Sequence, residues 1–227
     1  RIKIVKVLTS YSYGKLMEVI VPSPYRTEPK CPVIKRCGGC QLQHIDYEGQ
    51  IQYKKRIVKN ALERIGGLKD ILIRDTIGMK EPWYYRNKAQ FPVQEKDGKL
   101  LIGFFAPRTH DVVNIDKCLI QDKVSDEVLE ILRNLITKYD ISIYDENTGK
   151  GLIRHIMIRK GYKTGEVMVC IIINGKRIPY QDELVDILKK SIDGLKTVVL
   201  NINKKMTNVI WDRKTKFYMV KDIYMTT

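Results

Sequence analysis

Two spacings of apolar residues, every second position and every third or fourth, divide the chain into strands and helices. Residues 2–7 (IKIVKV) and 16–21 (LMEVIV), on either side of Ser12-Tyr13-Gly14, predict a β-hairpin, and Pro22, Pro24 and Pro29 then make a stiff connector. Asp46 is placed to cap a helix that runs to about Ile65 and ends at Gly66-Gly67, with Tyr47, Ile51, Tyr53, Val58, Leu62 and Ile65 broadly on one side. Lys54, Lys55, Arg56 and Lys59 occupy the rest of its circumference. From Tyr85 the pattern is β: residues 86–93, an Asp97-Gly98 turn, residues 99–105, then residues 109–113. A helix over 124–139 buries Val128, Leu129, Leu132 and Ile136. Strands at 152–159 and 166–173 flank the turn at 161–165, and a helix near 182–190 and a strand at 197–202 follow. Residues 207–227 hold short β patterns without a closing element. The prediction is an α+β fold, an N-terminal hairpin followed by a domain with a mainly antiparallel sheet and flanking helices.

Charge narrows the partners. Forty-one Lys and Arg against 26 Asp and Glu leave a formal charge of +15 on 227 residues, a field that attracts phosphate chains. Basic residues that merely solvate the surface would give the same total. The local texture speaks for RNA: Tyr11-Ser12-Tyr13-Gly14-Lys15, Tyr53-Lys54-Lys55-Arg56 and Trp83-Tyr84-Tyr85-Arg86-Asn87-Lys88 mix stacking faces with phosphate donors. No apolar run is long enough to span a membrane and no signal peptide is visible, so a cytoplasmic protein is expected.

The cysteines carry the chemistry. Cys31, Cys37 and Cys40 stand in one short loop, CxxxxxCxxC, whose closure costs little entropy. Gly38-Gly39 lets backbone amides reach the sulfurs, and Lys35 and Arg36 favour thiolates. A fourth ligand is wanted, and Cys118 in Asn114-Ile115-Asp116-Lys117-Cys118 is the candidate, brought in only by folding. Such a set reads as an iron-sulfur site. Structural zinc takes four cysteines equally well, and disulfides or unrelated buried thiols are the other readings, though an odd total of five opposes full pairing. Cys170 lies in an apolar strand pattern and is assigned to the core; His44 and His155 read as surface or packed histidines.

Residues 31–43 (CPVIKRCGGCQLQ), Ile65-Gly66-Gly67, residues 85–90 (YRNKAQ), Gly103-Phe104-Phe105 with Arg108-Thr109-His110, and residues 200–208 (LNINKKMTN) together resemble the RNA uracil-C5 methyltransferases, most closely the cluster-bearing branch that modifies 23S ribosomal RNA. The resemblance implies that residues 1–24 are the end of a TRAM β-barrel. Residues 25–227 would be the central RNA-binding domain, with a [4Fe-4S] cluster on Cys31, Cys37, Cys40 and Cys118, and residues 43–76 would dock on a catalytic domain. The family's S-adenosylmethionine domain, its cysteine nucleophile and its proton-abstracting carboxylate have no counterpart here, so no catalytic or S-adenosylmethionine-binding residue is assigned. The chain alone is expected to be inactive. Its parent would be an S-adenosylmethionine-dependent enzyme.

The expected RNA contacts are Arg86, Lys88, Arg108 and His110 for phosphates, with Asn87 or Gln90 for a base edge. A strand whose polar residues merely alternate outward would produce YRNKAQ as well. The partners expected are ribosomal RNA, or transfer RNA in a related member, and the catalytic domain of the same protein, with no membrane. Two rivals belong to other classes: a non-enzymatic zinc or iron-sulfur RNA-binding protein, and an electron-transfer or radical enzyme in which three cysteines leave an iron open.

Overall fold

Period-two alternation decides which face of each strand is buried, and in this chain it builds one large sheet with two unlike faces. In a computed structural model the described residues are 1–207, 209–212 and 215–220, the last four by backbone alone. They divide into two compact units, one of residues 1–30 and 42–78, the other of residues 31–41 and 79–227.

The first unit opens with β1 (Ile2–Val7) paired antiparallel to β2 (Ser12–Leu16). The hairpin was expected, but its turn lies four residues earlier, where the Leu8 amide donates to the Tyr11 carbonyl at 2.8 Å. Gly14 is a strand residue opposite Ile4, because a bare α-carbon there leaves room for the Ile2 side chain. The helix α1 (Tyr47–Asn60) follows the prediction closely. Asp46 caps it by accepting the Gly49 amide at 2.7 Å, one turn of π-helix carries it through Ala61–Ile65, and Gly66 closes it on the Ala61 carbonyl. Its apolar side is not a core stripe: Gly49 is the one buried residue of α1, and Tyr53, Val58 and Ile65 are exposed by 37%, 49% and 88%. The unit's sheet, β1 with β2, is itself exposed at every residue and offers no buried face to receive them.

The second unit contains β3 (Lys88–Lys96), β4 (Lys99–Phe105), β5 (Val112–Asn114), β6 (Ile153–Lys160), β7 (Val167–Ile173), β8 (Leu195–Ile202) and β9 (Thr215–Val220), with helices α2 (Val124–Lys138) and α3 (Gln181–Ser191). The sheet order is β5-β4-β3-β6-β7-β8-β9, and every neighbouring pair is antiparallel except β7 with β8, which α3 joins as a crossover. Asp97 (φ 52°) and Gly98 (φ 69°) make the tight β3-β4 turn in the conformation that Asp-Gly favours. Two expectations are corrected. Residues 106–109 form a turn, with Arg108 at φ 63° and the Thr109 amide on the Ala106 carbonyl, so β5 begins only at Val112. The C-terminal β pattern does close the sheet, as β9 pairs with β8; Asn208, residues 213–214 and residues 221–227 lie outside the described residues.

Ala89, Phe91 and Val93 of β3, Ile156 and Ile158 of β6, Val169 and Ile171 of β7, and Val198 and Leu200 of β8 form one core with Val128, Leu129, Leu132 and Ile136 of α2 and Leu184 and Leu188 of α3. The intervening residues face the other way. There Met157, Cys170, Ile172 and Val199 make a small second cluster, with Ile210 packed against it. Lys88 and Gln90 share that helix-free face, because the ladder sets Lys88 opposite Arg159 and Gln90 opposite Met157. No helix among the described residues is long and apolar enough to cross a membrane.

Leu132, 1% exposed between α2 and the sheet, carries a full cavity cost. Leu132→Ala is expected to lower the unfolding free energy in urea by about 2–5 kcal/mol, while Val58→Ala on α1 shifts it by less than about 0.5 kcal/mol. Equal effects would contradict the assignment of core and surface.

Candidate functional site

Cys31, Cys37, Cys40 and Cys118 are all unpaired as disulfides, all half-buried, and all in the second unit. The loop is wound tightly: Cys37 and Arg36 both donate their amides to the Val33 carbonyl at 2.9 Å, and the Gly39 amide points at the Cys37 sulfur at 3.3 Å. It is also pinned to the sheet. The Gly38 amide donates to the Phe105 carbonyl at the end of β4 at 3.1 Å, and a Cβ on Gly38 would sit 2.9 Å from that same oxygen. Glycine is therefore required for close approach at this position.

Cys118 is held from the other side. Its amide donates to the Asp126 carboxylate at 3.1 Å in the first turn of α2, and the Gln121 amide donates to its carbonyl at 3.2 Å. Burial pushes the Cys118 thiol up, and Cys40 adds to this; for Cys37 burial again comes first, with Cys40 and Cys31 adding. The amides of Gly39, Ile120 and Gln121 oppose it. The four thiols thus feel one another's charge in a chain that runs through Cys40, and an amide donor already aims at the Cys37 sulfur. A cationic inorganic centre would reverse the penalty and hold them as thiolates. Among the described residues no three Cys, His, Asp or Glu side chains converge as ligands of one ion. Cys170 is separate: fully buried on the strand β7, its thiol is pushed up to about 12 by burial.

The expected RNA-contact residues are attached to these same cysteine segments. The Tyr84 amide donates to the Leu119 carbonyl at 2.9 Å, the Arg86 amide to Ile120 at 3.0 Å, and the Asp122 amide returns to the Arg86 carbonyl at 3.2 Å. Residues 84–86 are thus stitched to the segment that begins at Cys118. Asn87 accepts the Lys160 amide at 2.9 Å through its backbone, and Lys160 donates to Asp122 at 3.0 Å. Arg86, Asn87 and Lys88 are exposed; Gln90 is half-buried, with its amide against the Met157 sulfur at 3.7 Å. Arg108 and His110 lie beyond Phe105, the residue whose carbonyl holds Gly38. His110 stacks on the Phe105 ring at 5.0 Å and its Nδ1 is 2.7 Å from Glu146.

Sequence reasoning missed two basic groups. Arg159 stands beside Lys88 on the helix-free face, a neighbour that only the pairing of β3 with β6 reveals. Arg154 is buried, lies over the Tyr144 ring at 4.3 Å, and donates to the carbonyls of Asn203 at 2.9 Å and Lys205 at 2.8 Å. His155, taken as surface or packed, is packed, and its Nδ1 is without a partner among the described residues. His44 is exposed.

No family model matches the chain. Similar proteins are named uncharacterized RNA methyltransferases: one of Clostridium acetobutylicum is 45% identical over 212 residues, covering 92% of this chain and 46% of the relative. One of Halalkalibacterium halodurans is 44% identical over 214 residues, 94% and 47% of the two chains, and one of Bacillus cereus is 42% identical over 225 residues, 99% and 49%. The chain spans about half the length of the relatives it matches. The fold is that of half of a Pyrococcus abyssi tRNA (uracil-54, C5)-methyltransferase solved with S-adenosyl-L-homocysteine, with a TM-score of 0.66, 22% identity, and coverage of 97% of this chain and 51% of that one.

Burial holds His155 neutral, with its acid constant down at about 4. The unfolded chain takes up this proton near pH 6.5 and the folded chain does not, so the stability is complete above 6.5 and falls toward pH 4, by about 3 kcal/mol in all. Urea midpoints measured between pH 7 and 5 should fall less steeply for His155→Gln than for the wild type. Parallel curves would show that this histidine is not the titrating group.

Proposed function

We propose that the chain is the RNA-holding, cluster-bearing portion of an S-adenosylmethionine-dependent RNA uracil-C5 methyltransferase. The observation that carries this reading is the attachment of both basic segments to cysteine segments, residues 84–86 through Leu119 and Ile120, and residues 108–110 through Phe105 and Gly38. A ligand set in that position fixes where Arg86, Lys88, Arg108 and His110 stand. The names of the relatives and the fold of the uracil-54 enzyme support methylation of RNA as the parent activity.

Cys31, Cys37, Cys40 and Cys118 would hold a [4Fe-4S] cluster, which supplies a rigid, charged junction between the loop and the segment that leads into α2. Methyl transfer from S-adenosylmethionine moves no net electrons, so the chemistry requires nothing more of it. The protein's own groups do the RNA work: Arg86 and Lys88 donate to phosphates, Gln90 or Asn87 reads a base edge, and Arg108 and His110 extend the surface. Held in this way, one uridine can leave its stack for a catalytic pocket on another domain. Residues 1–24 would belong to a TRAM barrel, a reading supported by the exposure of Ile2, Ile4 and Leu16 on the hairpin. Residues 43–76, with Val58 and Ile65 outward, would meet the catalytic domain. The proposed cluster and TRAM remnant favour 23S ribosomal RNA as the substrate, by analogy with the family that the chain resembles. The fold likeness to a transfer RNA enzyme favours a second reading, transfer RNA uracil.

Anaerobic incubation with iron and sulfide should give a brown chain with about four irons that bleaches on reduction, and Cys118→Ser should lose the colour; a colourless chain that binds one zinc would overturn the cluster assignment. For the RNA surface, Arg86→Ala should weaken binding and reduce the slope of log affinity against log salt by about 0.7. An unchanged slope would remove Arg86 from the phosphate contacts.

A further inference from the structure

The segments attached to the cysteines all lie in the second unit, yet the first unit contains a concavity of about 640 Å³ of its own, within the ~300–1,000 Å³ typical of small-ligand sites. Its walls are built deliberately. Arg26 bridges Ile45, the Thr27 amide donates to His44 at 3.1 Å, and the Asp46 amide donates to Tyr25 at 2.8 Å, so residues 25–27 run antiparallel to 44–46 at the entrance to α1. Gly49 completes the packing: a Cβ there would lie 2.5 Å from the Tyr25 side chain, so glycine lets Tyr25 rest on the first turn of the helix. Tyr25 and Arg26 form one side of the groove, and Tyr53, Lys55, Arg56 and Lys59 of α1 the other.

Charge separates this groove from the other described concavities. Its lining has four cations and no carboxylate, whereas the others include Asp116 and Asp126, or Asp145 and Glu146, or Asp182 and Glu183. Lys55 is paired with Asp75 at 2.7 Å and Lys59 lies 3.8 Å from Glu63. Arg26 and Arg56 have no carboxylate partner among the described residues, and the Arg56 guanidinium lies 5.7 Å from the centre of the Tyr53 ring. Two unpaired guanidinium forks beside two tyrosine rings match a phosphate with an adjacent unstacked base. A duplex presents no base face to such a groove.

We propose that this groove is a second RNA site, which takes the backbone and one unstacked base of a single-stranded segment without sequence preference. The proposal rests on the RNA-holding reading above and places a second hold on the same RNA in the other unit. A protein surface carrying acidic groups is the competing occupant.

The test uses the whole 227-residue chain and a short single-stranded oligouridylate followed by fluorescence anisotropy, with thermal melting as the check that each variant is folded. The double variant Arg26→Gln, Arg56→Gln should weaken binding about tenfold and lower the log–log salt slope by about 0.7, for the one phosphate no longer neutralised. Tyr53→Ala should weaken binding with the slope unchanged. Photo-crosslinking with a 4-thiouridine version of the oligonucleotide should label peptides that contain Tyr25 or Tyr53. Unchanged affinity and slope in the double variant, with no label in those peptides, would overturn the proposal and give the groove to a protein surface; if Arg86→Ala still weakened binding, the first RNA surface would stand. A wild-type chain that did not bind the oligonucleotide would overturn both.

Discussion

Backbone hydrogen bonds between the cysteine segments and their neighbours are the constraint on which this architecture depends. Gly38 is pinned to the last carbonyl of β4, and the chain after Cys118 is laced to residues 84–86 by amides from Tyr84 and Arg86. These bonds are short in reach and leave little freedom: a side chain on Gly38 would press on Phe105, and Cys118 is fixed in addition by the Asp126 carboxylate of α2. Whatever gathers the sulfurs therefore also sets the strand that carries Lys88 and Gln90 and the turn that carries Arg108. Position is transmitted through main-chain contacts, which a side-chain substitution does not easily loosen.

The sheet turns that local anchoring into a surface. Its helix-covered face takes most of the apolar residues of β3, β6, β7 and β8 together with α2 and α3, so the strands cannot slip in register without exposing the core. Alternation then sends Lys88, Gln90 and Arg159 to the opposite face. There the apolar cluster is small, and Asn201 and Asn203 use their side-chain amides to hold the backbone of residues 209–212 across it, at 2.6 Å to both Val209 and Asp212. Core packing on one side and polar tethering on the other leave the basic stripe accessible at the β3 end.

Much of this was legible in the sequence because the signals are local. Asp46, the Asp97-Gly98 turn and the four apolar positions of α2 each fix an element through contacts within a few residues, and the structure places them where the pattern predicts. The misplaced features depend on partners distant in sequence. Gly14 looks like a turn residue until Ile2 is seen beside it, and β9 has no visible reason to close the sheet until β8 offers it an edge. The proposed ligand set rests on the cysteine spacing, and only folding brings Cys40 within electrostatic reach of Cys118. Arg159 was hidden for the same reason. The apolar side of α1 shows the limit of such signals, since periodicity reports a face that can be buried and does not say what buries it.

The most direct measurement is the alkylation of individual cysteines, followed by peptide mass spectrometry, in the iron-reconstituted chain and in the same chain after chelation. If four sulfurs share one inorganic core, Cys31, Cys37, Cys40 and Cys118 should all be protected before chelation and all become reactive after it, while Cys170, sealed within the sheet, stays unreactive throughout. Alkylation of Cys118 at the same rate before and after chelation, with the other three protected, would contradict the account.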